Sequence, residues 1–252
     1  MKSILLCVGM AVSAVSAQTL GSVIAAGSPC VTSVAQGLTN QIANEMTAMG
    51  ITFARISTVP RVTCNNGCSG YLQKKALDSL ASITAAYESI TLTSAWRSAA
   101  QQYLLYQWKA RGSCGQTNPV ATPGTSNHEG GIAIDTPYYD FWASKLTAYG
   151  WIYPMPVADK VHFEFGTGAR TFAQSNLKAF QRLYNRMTPG ANIAEDGIYG
   201  PATAAALNAA PVNGWTTVLT AEDAAVYHAT SFDYEGPENV FEYFEQEAGF
   251  LE

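Results

Sequence analysis

Hydrophobic residues recur at three- and four-residue spacing in some segments of the chain and alternate with polar residues in others. The first spacing is typical of a helix with one buried face, and the second is typical of a half-buried strand. The helical spacing predicts helices over 37–49, 72–87, 98–111, 140–150, 177–187 and 204–210. The alternation predicts strands over 51–59, 90–97, 131–135 and 160–165. Residues 18–36 are rich in Gly, Ser and Ala, and we expect them to be extended.

These elements predict an α+β fold, because a few strands alternate with helices instead of forming a long sheet. We expect a small antiparallel sheet flanked by helices. A change of composition near 166–168 predicts a further helical module after it.

The alternation in GIAID and KVHFEF also predicts where two polar side chains point. It turns Asp135 away from the apolar face of the first strand, and His162 and Glu164 away from that of the second. If the two strands are neighbours, Asp135 and His162 lie together. The turn at Gly130-Gly131 allows the preceding loop to bring His128 to the same point.

Two imidazoles and one carboxylate form a three-ligand set that leaves zinc a fourth position for water, which is typical of a catalytic zinc site. Such a site also needs a general base near the water. Asp159, three residues before His162, is the candidate base. His228 has no acidic or histidine pattern around it, and we interpret it as an ordinary surface or packing residue.

Two motifs in this region resemble those of a known family. SNHEGGIAID fits the pattern S-x-H-x-x-G-x-A-x-D, and DKVHFEF fits the second motif of the zinc peptidases that cut peptidoglycan stem peptides. That family includes the D-alanyl-D-alanine carboxypeptidases and dipeptidases of vancomycin resistance and the L-alanyl-D-glutamate endopeptidases of phage endolysins. The resemblance covers roughly residues 70–166 and implies that His128, Asp135 and His162 bind Zn²⁺.

The resemblance extends upstream to TSAWRSAAQQ, which is similar to the end of a strand in the same family. It implies that Arg97 holds the substrate carbonyl or carboxylate, with Gln102 facing the same cleft as a substrate-binding residue. A guanidinium there can stabilise the oxyanion that forms when water attacks a peptide carbonyl. Ser126 matches the motif serine and is expected to orient the loop or the substrate. We interpret Glu129 and Glu164 as supporting groups and not as catalytic acids.

The acidic residue before the last histidine bears on which bond is cut. The carboxypeptidase members usually have glutamate there, whereas this chain has Asp159, which resembles the L-alanyl-D-glutamate endopeptidase branch. The sequence therefore favours an endopeptidase. A D-alanyl-D-alanine carboxypeptidase and a catalytically silent peptidoglycan-binding protein remain the alternatives.

A second resemblance lies downstream. LKAFQRLYN followed by EDGIYGPATAAALNAA is similar to the three-helix peptidoglycan-binding domain and its D-G-x-x-G-P-x-T turn, over about 171–210. It implies that this segment binds the wall polymer. The alternative is a helical hairpin that packs on the catalytic domain.

The N-terminus and the cysteines predict an exported protein. Residues 1–17 have the pattern of a secretory signal peptide, with cleavage after Ala17, and no later segment is apolar over a length that spans a bilayer. Export would leave four cysteines, an even number that favours two disulfides: Cys30, Cys64, Cys68 and Cys114. Three pairings are open. A zinc site made of these cysteines is less favoured, because paired C-x2-C spacing is missing.

Composition limits the remaining possibilities. The chain has 252 residues with a net charge of −5, and residues 211–252 carry nine acidic residues and no Lys or Arg. No basic run with interleaved aromatic residues indicates nucleic-acid binding. We divide the chain into a signal peptide (1–17), an N-terminal extension (18–69), a catalytic domain (70–166), a binding module (171–210) and an acidic, aromatic tail (211–252), and we expect a secreted monomer.

Overall fold

The computed structural model describes residues 17–65, 68–166 and 172–216. The predicted signal peptide, apart from Ala17, lies outside the described residues, and so do His228 and most of the predicted acidic tail. None of the described helices is both long and apolar enough to cross a membrane.

The fold is mixed α/β with small sheets, as the sequence predicts. The described residues form seven α-helices: α1 (Leu20–Ala26), α2 (Gln36–Ala48), α3 (Lys74–Ala86), α4 (Ala99–Ala110), α5 (Tyr139–Ala148), α6 (Ala173–Met187) and α7 (Pro201–Ala209). They also form seven short strands: β1 (Ala54–Arg55), β2 (Val62–Cys64), β3 (Tyr71–Leu72), β4 (Ile90–Leu92), β5 (Ala133–Asp135), β6 (Trp151–Ile152) and β7 (His162–Phe165).

The largest sheet has three antiparallel strands in the order β5-β7-β6. Strands β1 and β3 pair antiparallel, and β2 and β4 pair parallel. In the three-stranded sheet Asp135 lies directly opposite His162. A single bridge joins Ser94 to Asp135, so the chain that follows β4 lies beside β5 at this point.

Buried side chains form two clusters. One is made by helices α1, α2, α4, α6 and α7, with residues such as Leu20, Ile42, Leu104, Phe180 and Leu207. The other lies between α3, α5 and the strands, with residues such as Leu80, Ile134, Trp142 and Phe163. The helices before and after the sheet region therefore share one core.

The extended conformation expected for 18–36 is wrong. Thr19 caps helix α1 reciprocally with Ser22, and Gly27 ends it in the left-handed region at φ +60°. A 3₁₀ turn follows at Thr32–Ala35. The small residues of this segment misled the prediction, since the cap and the buried Leu20, Val23 and Ile24 together stabilise a helix of only seven residues.

Two predicted strands are shorter than expected. The segment 51–59 has only the two residues of β1, because a 3₁₀ turn begins at Ile56. The segment 90–97 pairs only over β4 and at Ser94. Beyond this point the chain leaves the sheet, and the Arg97 amide donates to the carbonyl of His128 at 3.2 Å.

Residues 172–216 contain two helices, α6 and α7, where three were expected in the binding module.

The structure contains the two predicted disulfides and selects one of the three possible pairings. Cys30 is bonded to Cys114, 84 residues away, and Cys64 to Cys68, four residues away. The first joins the segment after α1 to the loop after α4.

Candidate metal centre

The loop that carries His128 is held by the carboxylate of its neighbour. Glu129 is fully buried, and its carboxylate accepts hydrogen bonds from the amides of Gly124 (3.0 and 2.9 Å) and Ser126 (3.2 Å). The Ser126 hydroxyl accepts the His128 amide at 3.3 Å. Gly131 ends the loop at φ +70°, a conformation that favours glycine. The loop is thus fixed by its own hydrogen bonds before any ligand binds.

Strands β5 and β7 supply the other two groups. Ile134 and Phe163 point into the sheet core, so the residues next to them, Asp135 and His162, point to the opposite face. This is the alternation that the sequence predicts. The cross-strand register then places the two polar side chains side by side.

The ligand atoms of the three residues converge. His128 Nε2 lies 3.1 Å from His162 Nδ1 and 3.3 Å from Asp135 Oδ1, and His162 Nδ1 lies 3.2 Å from the same oxygen. In a tetrahedral site with metal–ligand distances of about 2.0–2.2 Å, neighbouring ligand atoms lie about 3.3–3.6 Å apart. The three measured distances, 3.1–3.3 Å, lie at or just below this range, so the three atoms could form one face of a tetrahedral metal site with its fourth corner left for another ligand.

Each histidine is oriented by a hydrogen bond on the ring nitrogen that faces away from the other ligands. His128 Nδ1 donates to the carbonyl of Ala95 at 2.7 Å, and His162 Nε2 donates to Glu164 Oε1 at 2.9 Å. These contacts leave His128 Nε2 and His162 Nδ1 to bind a metal. Partners of this kind fix the tautomer and ring orientation of metal-binding histidines.

The charges of the three groups also suit a cation. Burial raises the pKa of Asp135, but its contacts with His128, His162 and Arg97 lower that pKa well below its usual range. Burial lowers the pKa of His128. Burial also acts to lower the pKa of His162, yet hydrogen bonds to Asp135 and Glu164 raise it to about 9. Without a metal, protonated His162 therefore places one proton among the three ligand atoms, next to the ionised carboxylate of Asp135. A divalent cation bound there would replace that proton.

Arg97 lies at the edge of this cluster, where its guanidinium is held on two sides. Nη1 donates to Gln102 Oε1 at 2.8 Å, Nη2 donates to Ser94 Oγ at 3.1 Å, and Nη2 lies 3.9 Å from Asp135 Oδ2. Burial lowers the pKa of Arg97. A half-buried and oriented cation beside the three ligand atoms can interact strongly with a negative charge that forms there.

The structure gives Gln102 and Ser126 supporting contacts. The amide of Gln102 holds Arg97 through Oε1 and donates through Nε2 to the carbonyl of Ala121 at 2.7 Å. The hydroxyl of Ser126 lies within the His128 loop. Substrate binding by these two residues stays a prediction, whereas Glu129 and Glu164 have the supporting contacts that the sequence suggested.

Asp159 lies before β7 and is half-buried. Its Oδ1 accepts a hydrogen bond from Asn118 Nδ2 at 2.8 Å, and its backbone carbonyl accepts the amide of His162 at 3.2 Å. Burial and the charge of Asp135 raise the pKa of Asp159, while His162 and Arg97 lower it. Its carboxylate is therefore coupled to the charges of the centre.

Sequence reasoning assigned no supporting role to three groups of the centre. Ser94 follows strand β4 and contacts Arg97. The carbonyl of Ala95 is a backbone group, which no residue pattern marks. Asn118 comes from the loop 112–124 and contacts Asp159 across 41 positions of the chain. Ser94 and Ala95 both lie in TSAWRSAAQQ, which the sequence had linked to the site through Arg97, whereas Asn118 lies in no such segment.

Comparison with known proteins agrees with this geometry. Residues 69–155 match the family model VanY, described as D-alanyl-D-alanine carboxypeptidase. The match includes Arg97, His128 and Asp135 and ends before Asp159 and His162, so these last two are placed by the structure. Comparison with the curated proteins gave no match. Over residues 69–155 the chain is therefore similar to the VanY family, described as D-alanyl-D-alanine carboxypeptidase.

Proposed function

We propose that the protein is a zinc-dependent hydrolase of peptidoglycan stem peptides. The observation that carries this proposal is the convergence of His128, Asp135 and His162, with both imidazoles oriented by other groups, in a chain whose matched segment is similar to a peptidase family. Zinc held there would lower the pKa of a bound water and polarise a peptide carbonyl.

The residues around the centre have the roles that hydrolysis needs. Asp159 accepts a proton from the attacking water and returns it to the leaving amine. Its raised pKa favours this exchange, since a carboxylate with a higher pKa is a stronger base. Arg97 donates hydrogen bonds to the carbonyl oxygen as negative charge develops on it, and its fixed contacts with Gln102 and Ser94 keep it oriented before the reaction.

Two bonds of the stem peptide are candidates. The family match over 69–155 favours the terminal D-alanyl-D-alanine bond, which makes the enzyme a carboxypeptidase. Asp159, at the position where such enzymes usually have glutamate, favours the L-alanyl-D-glutamate bond. We favour the carboxypeptidase, because a match over many positions outweighs one side chain.

The rest of the chain extends the proposal. The N-terminal signal pattern and the two disulfides support export to an oxidising compartment, where peptidoglycan is accessible. Binding of the wall polymer by 171–210 remains part of the proposal. In its D-G turn, Gln181 Oε1 accepts the amide of Gly197 at 2.8 Å, and the side chain of Ile198 is 60% exposed, so the turn presents an apolar contact to a polymer.

Digestion of purified stem pentapeptides and muropeptides by the zinc-loaded protein tests the proposal. Mass spectrometry will show loss of one terminal alanine for the carboxypeptidase and a new N-terminal D-glutamate for the endopeptidase. No cleavage of either bond by a correctly folded, zinc-loaded protein would support the silent binding protein instead.

Two variants separate the roles of the centre. Asp159→Asn keeps the shape of the side chain but removes its basicity, so we expect it to bind zinc normally and to lose about 100-fold or more in kcat. His128→Ala removes one of the three ligands, so we expect it to lose the metal. Full activity in Asp159→Asn would refute the assignment of the base.

A further inference from the structure

An asparagine outside the family-matched segment contacts the backbone of the candidate centre. Asn176 lies on α6 and is fully buried. Its Oδ1 accepts the amide of Ala99 at 2.8 Å, and its Nδ2 donates to the carbonyls of Arg97 at 2.9 Å and Glu129 at 3.2 Å. One side chain thus bonds to the start of α4, to Arg97 and to the loop of His128.

These backbone groups belong to two segments that already touch each other. The amide of Arg97 donates to the carbonyl of His128, and the indole of Trp96 donates to the carbonyl of Glu129 at 3.2 Å. Asn176 adds a third connection and ties both segments to α6. The separation between the Arg97 guanidinium and the His128 imidazole therefore depends on this helix.

A second contact joins α6 to the same loop. Gly124 begins the loop at φ +84°, and a Cβ atom at this position would lie 2.9 Å from Leu177 Cδ2. Helix α6 is in turn fixed to α2 by two ion pairs. The buried carboxylate of Glu45 on α2 lies 2.7 Å from Arg182 Nε and 2.6 Å from Arg186 Nη1. The loop therefore packs on a helix that is itself held in place.

The chemistry at this position requires a side chain that both accepts and donates. An asparagine amide satisfies one amide donor and two carbonyl acceptors at once. Aspartate keeps the acceptor for Ala99 but has no hydrogen to give to the two carbonyls. Alanine leaves all three buried backbone groups without this partner.

We infer that Asn176 is a positioning residue of the peptidase, which sets Arg97 and the His128 loop in their reactive arrangement, and that helix α6 completes the catalytic site. This inference rests on the proposed function for its kinetic consequence. Its structural consequence, the placement of His128, does not require any activity.

Asn185 provides a matched control. It lies on the same helix and also makes three side-chain hydrogen bonds: to the carbonyl of Ile193 (2.9 Å), from the amide of Ile193 (2.9 Å) and to Glu195 Oε1 (3.1 Å). These contacts lead away from the centre. We compare Asn176→Ala, Asn176→Asp and Asn185→Ala with the wild type, well below the melting temperature of each variant.

Two measurements are made on the full chain. The first is kcat and KM on a soluble stem pentapeptide at saturating zinc, and the second is zinc affinity by competition with a chromophoric chelator. We expect both Asn176 variants to lose about tenfold in kcat with KM changed less than about twofold, because a misplaced Arg97 weakens contacts made in the transition state. We expect zinc affinity to fall several-fold in the same variants, and Asn185→Ala to match the wild type in both measurements.

The outcomes separate the inference from the proposed function. Folded Asn176 variants that match the wild type in kcat and zinc affinity overturn the inference, and so does an equal loss in Asn185→Ala. If Asn176→Ala fails to fold, Asn176→Asp, which retains the bond to Ala99, decides by the same criteria. If the wild type cleaves no stem peptide but zinc affinity falls only in the Asn176 variants, the positioning role stands and the proposed function fails.

Discussion

Replacing Glu164 by glutamine changes the charge beside His162 and leaves the shape of the contact almost intact. In the wild type, His162 Nε2 donates to Glu164 Oε1 at 2.9 Å; burial acts to lower the pKa of His162, but its hydrogen bonds to Asp135 and Glu164 raise it to about 9. The glutamine carbonyl still accepts the hydrogen bond, but it no longer stabilises a protonated ring by its charge. The variant therefore separates ring orientation from charge.

The magnitude follows from competition between zinc and a proton for His162 Nδ1. With a pKa of about 9, the metal-free ring is protonated at pH 7, so zinc affinity rises about tenfold per pH unit and gains roughly 100-fold by pH 9. Above this pH the affinity should level off. The stability of the metal-free fold changes with pH in the opposite direction. The raised pKa of His162 stabilises the fold fully below about pH 6.5, and this contribution is lost as the pH rises through 9.

Loss of the Glu164 charge has two opposing effects. A weaker partner for the histidine lowers zinc affinity by about 10- to 100-fold. A lower pKa of His162 reduces proton competition and recovers most of this loss at pH 7, but only about twofold of it at pH 9. We therefore expect Glu164→Gln to bind zinc nearly as well as the wild type at pH 7 and about tenfold more weakly at pH 9.

Chelator competition at half-unit steps from pH 6.5 to 9.5 measures both curves. Asp78→Asn is a suitable control, because Asp78 is an exposed carboxylate paired with Lys74 at 2.6 Å on α3. Its zinc affinity should follow the wild-type curve. Parallel curves for Glu164→Gln and the wild type, or a wild-type affinity that does not change between pH 7 and 9, would refute this account of the centre.

Three further predictions concern other parts of the molecule. Arg97→Lys should bind zinc normally but lose about 100-fold in kcat on a stem pentapeptide, because an ammonium cannot make the two-sided contacts of the guanidinium. The double variant Cys30→Ala, Cys114→Ala should lower the free energy of unfolding by about 4–5 kcal/mol, whereas loss of the Cys64–Cys68 disulfide should lower it by about 2 kcal/mol. The difference arises because the first disulfide closes a loop of 84 residues and the second a loop of four, and urea denaturation measures both values. Glu45→Ala should lower the free energy of unfolding by about 1–3 kcal/mol in the same assay, because Arg182 and Arg186 lose their buried partner. The loss stays in this range because both arginines are partly exposed and water can solvate their charges.

Local patterns were sufficient to predict that the three candidate ligands lie together. A period of two along β5 and β7 fixes which side chains share a face, and the register of one strand pair then brings Asp135 to His162. The Gly-Gly turn is equally local. The convergence of these side chains could be predicted because it depends on residues that are close in the sequence or on directly paired strands, while their binding of a metal stays a prediction.

The groups that orient the ligands were harder to predict, since most of them are brought in by long-range contacts. The carbonyl of Ala95 has no sequence signal, and Asn118 and Asn176 reach the centre from a loop and a helix that carry no motif for this contact. The helix α1 was missed for a different reason. Its stability comes from a cap and from tertiary burial, and its Ala- and Gly-rich composition conceals both.

The error at α1 has a consequence for how the chain is divided. The amide of Leu20 donates to the carbonyl of Ala210 at 2.9 Å, and Thr19 forms a bridge with Pro211, so the segment before the sheet pairs with the segment after it. Both segments pack in one core with α4, and α4 begins directly after Arg97. A division into an extension, a catalytic domain and a separate module follows the motifs along the sequence. The packing joins helices of both flanking segments to the helix that follows Arg97, and the positioning role that we infer for Asn176 would act through this shared core.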